Sequence, residues 1–282
     1  MAGNRLTGRE GDLVPFRSLV ATFGVVIVSV AGCGSSSATP TQPPISDPIQ
    51  IVTSSANRGS AANTVHVEGT LSGSVSISAL GALGITGLSG FSGMVKLDGT
   101  SFSGDVDITG HAYHLSALDP ALFGLAADVV QVEGYTYTRT SISGDKYTKS
   151  RATVDLPIAS ATFNIAGAFD QLKETLNAPG TTASLVGRDP VDGRDAYHVK
   201  VSVPVGTLNE QIAAAGGLAA LGITLDSASL DYWAYVDSVQ PAKLALKASS
   251  SALGSVYLTV TLTKYNEPLT IAAPPGSEVT AS

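Results

Sequence analysis

Residues 64–78 read Thr64-Val65-His66-Val67-Glu68-Gly69-Thr70-Leu71-Ser72-Gly73-Ser74-Val75-Ser76-Ile77-Ser78. Val65, Val67, Leu71, Val75 and Ile77 fall on odd positions, and His66, Glu68, Thr70, Ser72, Ser74, Ser76 and Ser78 on even ones. A period of two kept over fifteen residues predicts one long strand with an apolar face and a wet face. Gly69 and Gly73 fall on the apolar face, where bare backbone suits a bend or the close approach of something packed on the sheet.

The same alternation recurs along the chain. It appears at Val106 and Ile108 against Asp105, Asp107 and Thr109, and at Tyr197, Val199, Val201 and Val203 against His198, Lys200 and Ser202. It returns at Val256, Leu258, Val260 and Leu262 against Tyr257, Thr259, Thr261 and Thr263. Such half-buried strands belong to antiparallel sheets with solvent on one side. Turn signals at Asp98-Gly99, Ser143-Gly144-Asp145, Asp192-Gly193 and Gln240-Pro241 join many of them as hairpins.

Three segments have helical spacing instead. Ser46-Asp47-Pro48 reads as an N-cap and first turn for a helix carrying Ile49, Val52 and Ala56 and ending near Gly59. Ile165, Phe169, Leu172 and Leu176 form one stripe, stopped by Asn177-Ala178-Pro179-Gly180. Val205, Leu208 and Ile212 make a third. The expected fold class is α+β, an antiparallel sheet with a few helices on its apolar face.

The N-terminus reads as an address. Residues 18–32 are apolar and small, follow Arg5, Arg9 and Arg17, and have the layout of a secretory signal peptide. The run is short for a membrane span, which needs about 20 apolar residues. Val30-Ala31-Gly32-Cys33 resembles the bacterial lipobox, in which cleavage precedes a diacylglycerol-bearing cysteine, so Cys33 is the expected lipidation site. The leader is long enough that a start at Val14 is an alternative to Met1. Residues 34–48, with four prolines and little apolar content, then form a spacer. The expected organisation is signal peptide 1–32, acylated cysteine and flexible tether 33–48, one domain 49–276, and a disordered tail 277–282.

Composition narrows the function. The chain has 282 residues, 44% hydrophobic and 14% charged, which is the reverse of a disordered composition. Without residues 1–32 it carries 13 basic and 21 acidic side chains, a balance unsuited to binding nucleic acid through phosphate. One cysteine allows neither an internal disulfide nor a multi-cysteine zinc site. No Gly-x-Ser-x-Gly elbow, phosphate-binding loop, His-Glu-x-x-His pair or dinucleotide fingerprint occurs. His111 and His114 are the one candidate metal pair, but they flank a strand and read as polar surface. Asp105 and Asp107, His66 and His198 fall on wet strand faces. Trp233, Tyr232 and Tyr235 could stack on a sugar ring or serve the core. No enzyme, cofactor or metal is expected.

Several segments taken in succession resemble the LppX/LprA/LprF/LprG lipoproteins of the mycobacterial cell envelope. They are Val132-Glu133-Gly134-Tyr135-Thr136-Tyr137, the run Gly187 to Val199 with Arg188-Asp189-Pro190-Val191-Asp192-Gly193-Arg194, then Tyr232-Trp233-Ala234-Tyr235-Val236-Asp237, and Val260 to Glu267 leading to Pro274-Pro275. The resemblance implies a half-open antiparallel barrel whose helices cross the concave side, holding acylated lipids or glycolipids in an apolar cavity. The chain departs from the pattern in its Gly-rich segment 79–91 and in extra sequence near Leu115 to Ala126.

Candidate cavity walls are Val65, Val67, Leu71, Val75, Ile77, Val199, Val201, Val260 and Leu262 from the sheet, with Ile165, Phe169, Leu172 and Leu176 from a helix. The same residues would equally fill a solid core. Two charge-free stretches, 79–91 and 216–225, share the string Ala-Leu-Gly-Ile-Thr, and Leu83, Ile85, Leu221 and Ile223 within them are the expected cavity mouth. The expected protein is a carrier of acylated lipid or glycolipid, held on the outer face of the cell membrane through Cys33. A second reading, from another class, is an envelope sensor or interaction lipoprotein working with a membrane transporter or kinase.

Overall fold

A computed structural model describes residues 45–77, 93–119, 124–142, 144–151, 165–214, 224–252 and 254–280. All of them fall within one compact unit, Thr41–Ser282, and every described hydrogen bond and core contact closes inside it. Among the described residues no helix is long and apolar enough to cross a membrane.

The opening strand is where the alternation placed it: β1 spans Thr64–Ser76. The strands that follow are β2 (Met94–Lys96), β3 (Thr100–Asp107), β4 (Ala112–Asp119), β5 (Leu125–Val132), β6 (Tyr135–Thr140) and β7 (Thr148–Arg151). After a helical segment come β8 (Thr182–Val191), β9 (Arg194–Ser202), β10 (Ser227–Tyr235), β11 (Pro241–Ser250) and β12 (Gly254–Thr263). They form one curved, open, antiparallel sheet in the order β7-β6-β5-β4-β3-β1-β12-β11-β10-β9-β8, with β2 as a second partner of β1. Two meanders thus meet at a single long-range seam, β1 against β12. Much of the segment that departed from the family pattern, Leu115 to Ala126, lies in β4 and β5.

Both glycines of β1 have a physical role. A Cβ on Gly69 would strike the ring of Phe102, its direct partner on β3, so the ring lies over bare backbone. Gly73 has φ +110 and sits where β1 passes from pairing β3 to pairing β2. Its N–H donates to Asp98 Oδ1 (3.2 Å), and its carbonyl accepts from Leu97 N–H (2.9 Å). The Asp192-Gly193 turn has both residues at positive φ, which matches the twist of the β8–β9 hairpin.

Helix α1 spans Pro48–Ser60, with Asp47 as N-cap accepting from the N–H of Ile49 and Gln50. Its buried stripe is Ile51, Val52, Ser55, Ala56 and Gly59, whereas Ile49 is exposed. The stripe expected from Ile49, Val52 and Ala56 is therefore rotated, because Ser55 and Gly59 take inward positions that hydrophobicity alone passes over. Ser55 Oγ bonds Tyr232 Oη at 2.8 Å, and a Cβ on Gly59 would meet the Phe169 ring. Helix α2, Ile165–Leu176, lies in the connection between the two sheet edges and packs on α1. Helix α3, Val205–Ala214, follows β9.

The packed region begins earlier and ends later than expected. Ile45, expected in the tether, packs against the core, and its N–H donates to Tyr197 Oη (3.2 Å). Residues 277–280, most of the expected tail, take part in a 3₁₀ turn at Gly276–Glu278 and a bridge from Val279 to Tyr147. Both ends are held because each offers backbone groups and apolar side chains to an existing surface.

Candidate functional site

Directly opposed residues of an antiparallel sheet share a face, so register sorts the inner side into rows. The row beside the helices runs through Val67 and Leu262, with Ala234 and Tyr197 further along, and all four are buried. The next runs Gly69, Val260, Leu244, Tyr232, Val199, Leu185. The third runs Leu71, Leu258, Leu246, Leu230, Val201, Ala183.

The first row is buried at all four positions, and burial is uneven along the next two. Tyr232, Val199 and Val201 are completely buried beneath the helices, Val260, Leu244, Leu71, Leu258 and Leu230 are half-buried, and Leu246 and Leu185 are each 40% exposed. The sheet therefore continues as an apolar floor past the cover that α1 and α2 provide.

The expected wall residues are divided among three clusters. Val65, Val67, Leu262 and Phe169 pack with Ala56, Val106, Tyr113 and Leu115, and Val260 and Ile165 lie against them. Val199, Val201, Leu172 and Leu176 pack with Ile51, Val52, Tyr197, Tyr232 and Ala234. Leu71 and Val75 meet Leu97, Val95 and Val256. Ile77 is half-buried just beyond β1. Cys33 and the mouth residues Leu83, Ile85, Leu221 and Ile223 lie outside the described residues.

Sequence reasoning passed over Leu230, Leu244 and Leu246. Their signal was present, since Leu244 and Leu246 alternate with Lys243, Ala245 and Lys247. The lysine stems beside them made the strand read as less apolar than its inner face is.

On the outer face of β1 and β9 the histidines lie against carboxylates. His66 Nδ1 lies 2.6 Å from Asp105 and its Nε2 3.3 Å from Glu68. His198 contacts Asp189 and Asp231, each at 2.9 Å, and stacks on Trp233 with centroids 4.2 Å apart. These carboxylates and rings leave the His66 and His198 side chains only 14% and 16% exposed, so they are less wet than the strand pattern implied. Lys243 Nζ lies 4.9 Å from the centroid of the Trp233 ring. With His198 stacked on the ring and a cation over it, Trp233 offers a poor platform for a sugar. Tyr232 and Tyr235 are core residues, and burial raises the phenol of each.

Asp128 gathers four polar partners on the other wing. Tyr147, Arg139 and Ser116 donate to it, and His114 Nε2 lies 2.7 Å away. Burial acts to raise this carboxyl, but the hydrogen bonds from Tyr147, His114 and Arg139 outweigh it and hold it below the ordinary value. Burial, with the Asp128 carboxylate second, pushes the Tyr147 phenol up to about 12. Ser116 bonds the carboxylate and not the imidazole, so the group lacks the hydroxyl-to-base contact that nucleophilic catalysis uses. His111 sits in the β3–β4 turn at φ 52, away from this group. Among the described residues no cluster of His, Cys, Asp and Glu is arranged to hold a metal ion.

No protein-family model matches the chain, and no curated protein matches it in sequence. Solved structures do match its fold. LprF from Mycobacterium bovis superposes with a TM-score of 0.51 at 14% identity, covering 81% of this chain and 97% of its own. The lipoprotein LppX from Mycobacterium tuberculosis aligns over 79% of this chain and 97% of its own, at 12% identity and a TM-score of 0.37. A putative outer membrane lipoprotein-sorting protein domain from Vibrio parahaemolyticus aligns at 8% identity and a TM-score of 0.26, over 79% and 94%. The open, curved antiparallel sheet with helices on its concave face is thus a fold this chain shares with LprF, one of the mycobacterial proteins its sequence motifs resemble.

Proposed function

We propose that this chain is a non-enzymatic carrier of acylated lipids or glycolipids in a bacterial cell envelope, tethered to the outer face of the membrane by acylated Cys33. One observation carries the reading: the apolar rows of the concave face run on beyond the helices, so that Leu246 is 40% exposed among Leu258, Leu230 and Leu244. Bare leucines on an inner face suit a ligand with long acyl chains. Burying acyl chains contributes about 0.8 kcal/mol per methylene, so a lipid of ~40 methylenes leaves a bilayer only if protein walls replace nearly all of that burial. The likeness to LprF supports the architecture, and the lipobox supports the anchor. In this reading the helix residues Ile165, Phe169, Leu172 and Leu176 close one end of the cavity. Leu83, Ile85, Leu221 and Ile223 are proposed to line its mouth.

Native mass spectrometry of the protein lacking residues 1–32, purified from a bacterial host, tests the reading. A carrier retains adducts that fragment to acyl lipids. A protein that is empty, and that stays empty after incubation with lipid vesicles, is instead an interaction module.

A further inference from the structure

The third row of the inner face changes character across β1. On the β12 side the third row is leucine after leucine, from Leu71 through Leu258 and Leu246 to Leu230. On the other side the direct partner of Leu71 is Thr100. The register pairing Ser101 with Leu118 sets Asp119 beside it. The neighbouring rows run on through Phe102, Ala117 and Ala127, and through Leu115 and Val129, before they end in Thr140 and Thr138. The third row is therefore leucine-lined on one side of β1 and polar at Thr100 and Asp119 on the other.

Thr100 stands on the boundary. Its Oγ1 is shut away from solvent and has no hydrogen-bond partner. Buried hydroxyls are almost always bonded, and an orphan carries the cost of its lost hydration with nothing in return. Because Thr100 is opposite Leu71, the hydroxyl belongs to the inner face at the place where the leucines stop.

Building on the lipid-binding reading above, we propose that Thr100 is a specificity-determining residue whose hydroxyl donates to an ester carbonyl of the bound acyl lipid. The acyl chains then lie over Leu258, Leu246 and Leu230, and the polar end lies towards Asp119 on β4. An ester carbonyl is the group found where an acyl chain meets its head, which matches the position of Thr100 between the two surfaces. It accepts a hydrogen bond without bringing a charge, whereas a fatty-acid carboxylate would come close to the acidic side chain of Asp119.

The test uses the Thr41–Ser282 unit, with diphenylhexatriene fluorescence reporting cavity occupancy. Two competitors are compared, dioleoylglycerol and its diether analogue, which lacks both carbonyls. The wild-type protein is expected to release the probe at about a 5- to 10-fold lower concentration of ester than of ether. Thr100→Val should abolish that preference while leaving probe binding and ether competition nearly unchanged, and it should raise the melting temperature of the ligand-free protein by removing an unpaired buried hydroxyl, whereas Thr100→Ser should restore the preference. Equal competition by ester and ether in the wild-type protein overturns the assignment but leaves the lipid-binding reading standing. So does an equal loss of both competitors in Thr100→Val. If the wild-type protein takes up neither probe nor competitor, the lipid-binding reading falls and this assignment falls with it.

Discussion

The two wings of the sheet, β3–β7 and β8–β12, are both antiparallel meanders, yet β5 and β6 of the first use their faces differently from β9–β12 of the second. In β9–β12 the apolar side chains face inward and the outer face carries polar contacts such as His198 between Asp189 and Asp231. In β5 and β6 apolar side chains also line the outer face: Val130 and Tyr137 are buried there with Tyr147, beneath Ile271 and Val279 of the C-terminal segment. Their inner face is meanwhile lined by Thr136, Thr138 and Thr140. Alternation therefore identifies a strand with two unlike faces but does not say which is the inside. That depends on what later crosses the sheet, which is α2 on one side and residues 264–280 on the other.

The largest expected effect separates the covered rows from the open ones. Leu172→Ala removes a side chain packed among Ile51, Val52, Val199, Val201 and Tyr232, and it should cost about 2–5 kcal/mol in urea unfolding. A cost under about 1 kcal/mol would mean that α2 rests loosely over a cavity instead of sealing a core.

Acid and alkali should act on the β3–β7 wing first. The native Asp128 carboxyl lies below its unfolded value of 3.8, so its contribution is complete above that value and is lost as pH falls through the native one. The native Tyr147 phenol lies at about 12 against 10.0 unfolded, so its contribution is complete below pH 10 and is lost as pH rises towards 12. Hydrogen exchange at both extremes should show β5 and β6 opening before β10 and β11. Asp128→Asn should flatten the acid response. Uniform opening of the two wings would break the comparison.

The smallest stability effect belongs to the open row. Leu246→Ala should cost less than about 1 kcal/mol, since 40% of the residue is already exposed, yet it should weaken uptake of long-chain lipid measurably. A large loss of stability with unchanged uptake would place Leu246 in the core and move the floor elsewhere.

Much of this fold could be read from local chemistry. The period of two in Thr64–Ser76, the Asp47-Pro48 cap and the turn at Asp192-Gly193 fixed elements whose causes lie within a few residues of one another. The resemblance of Val30-Ala31-Gly32-Cys33 to a lipobox rests on equally local residues. What the sequence alone could not decide depends on residues distant along the chain. The β1–β12 seam joins Val67 to Leu262, and nothing near either residue announces the other. The helix stripe came out rotated because Ser55 finds Tyr232 at a separation of 177 residues, and no hydrophobic pattern encodes a hydrogen bond. The division of the inner face into covered and open rows was likewise settled only in three dimensions. A valine at 199 and a leucine at 246 look alike in an alternating strand, and the reach of two helices decides which of them is sealed and which stays exposed.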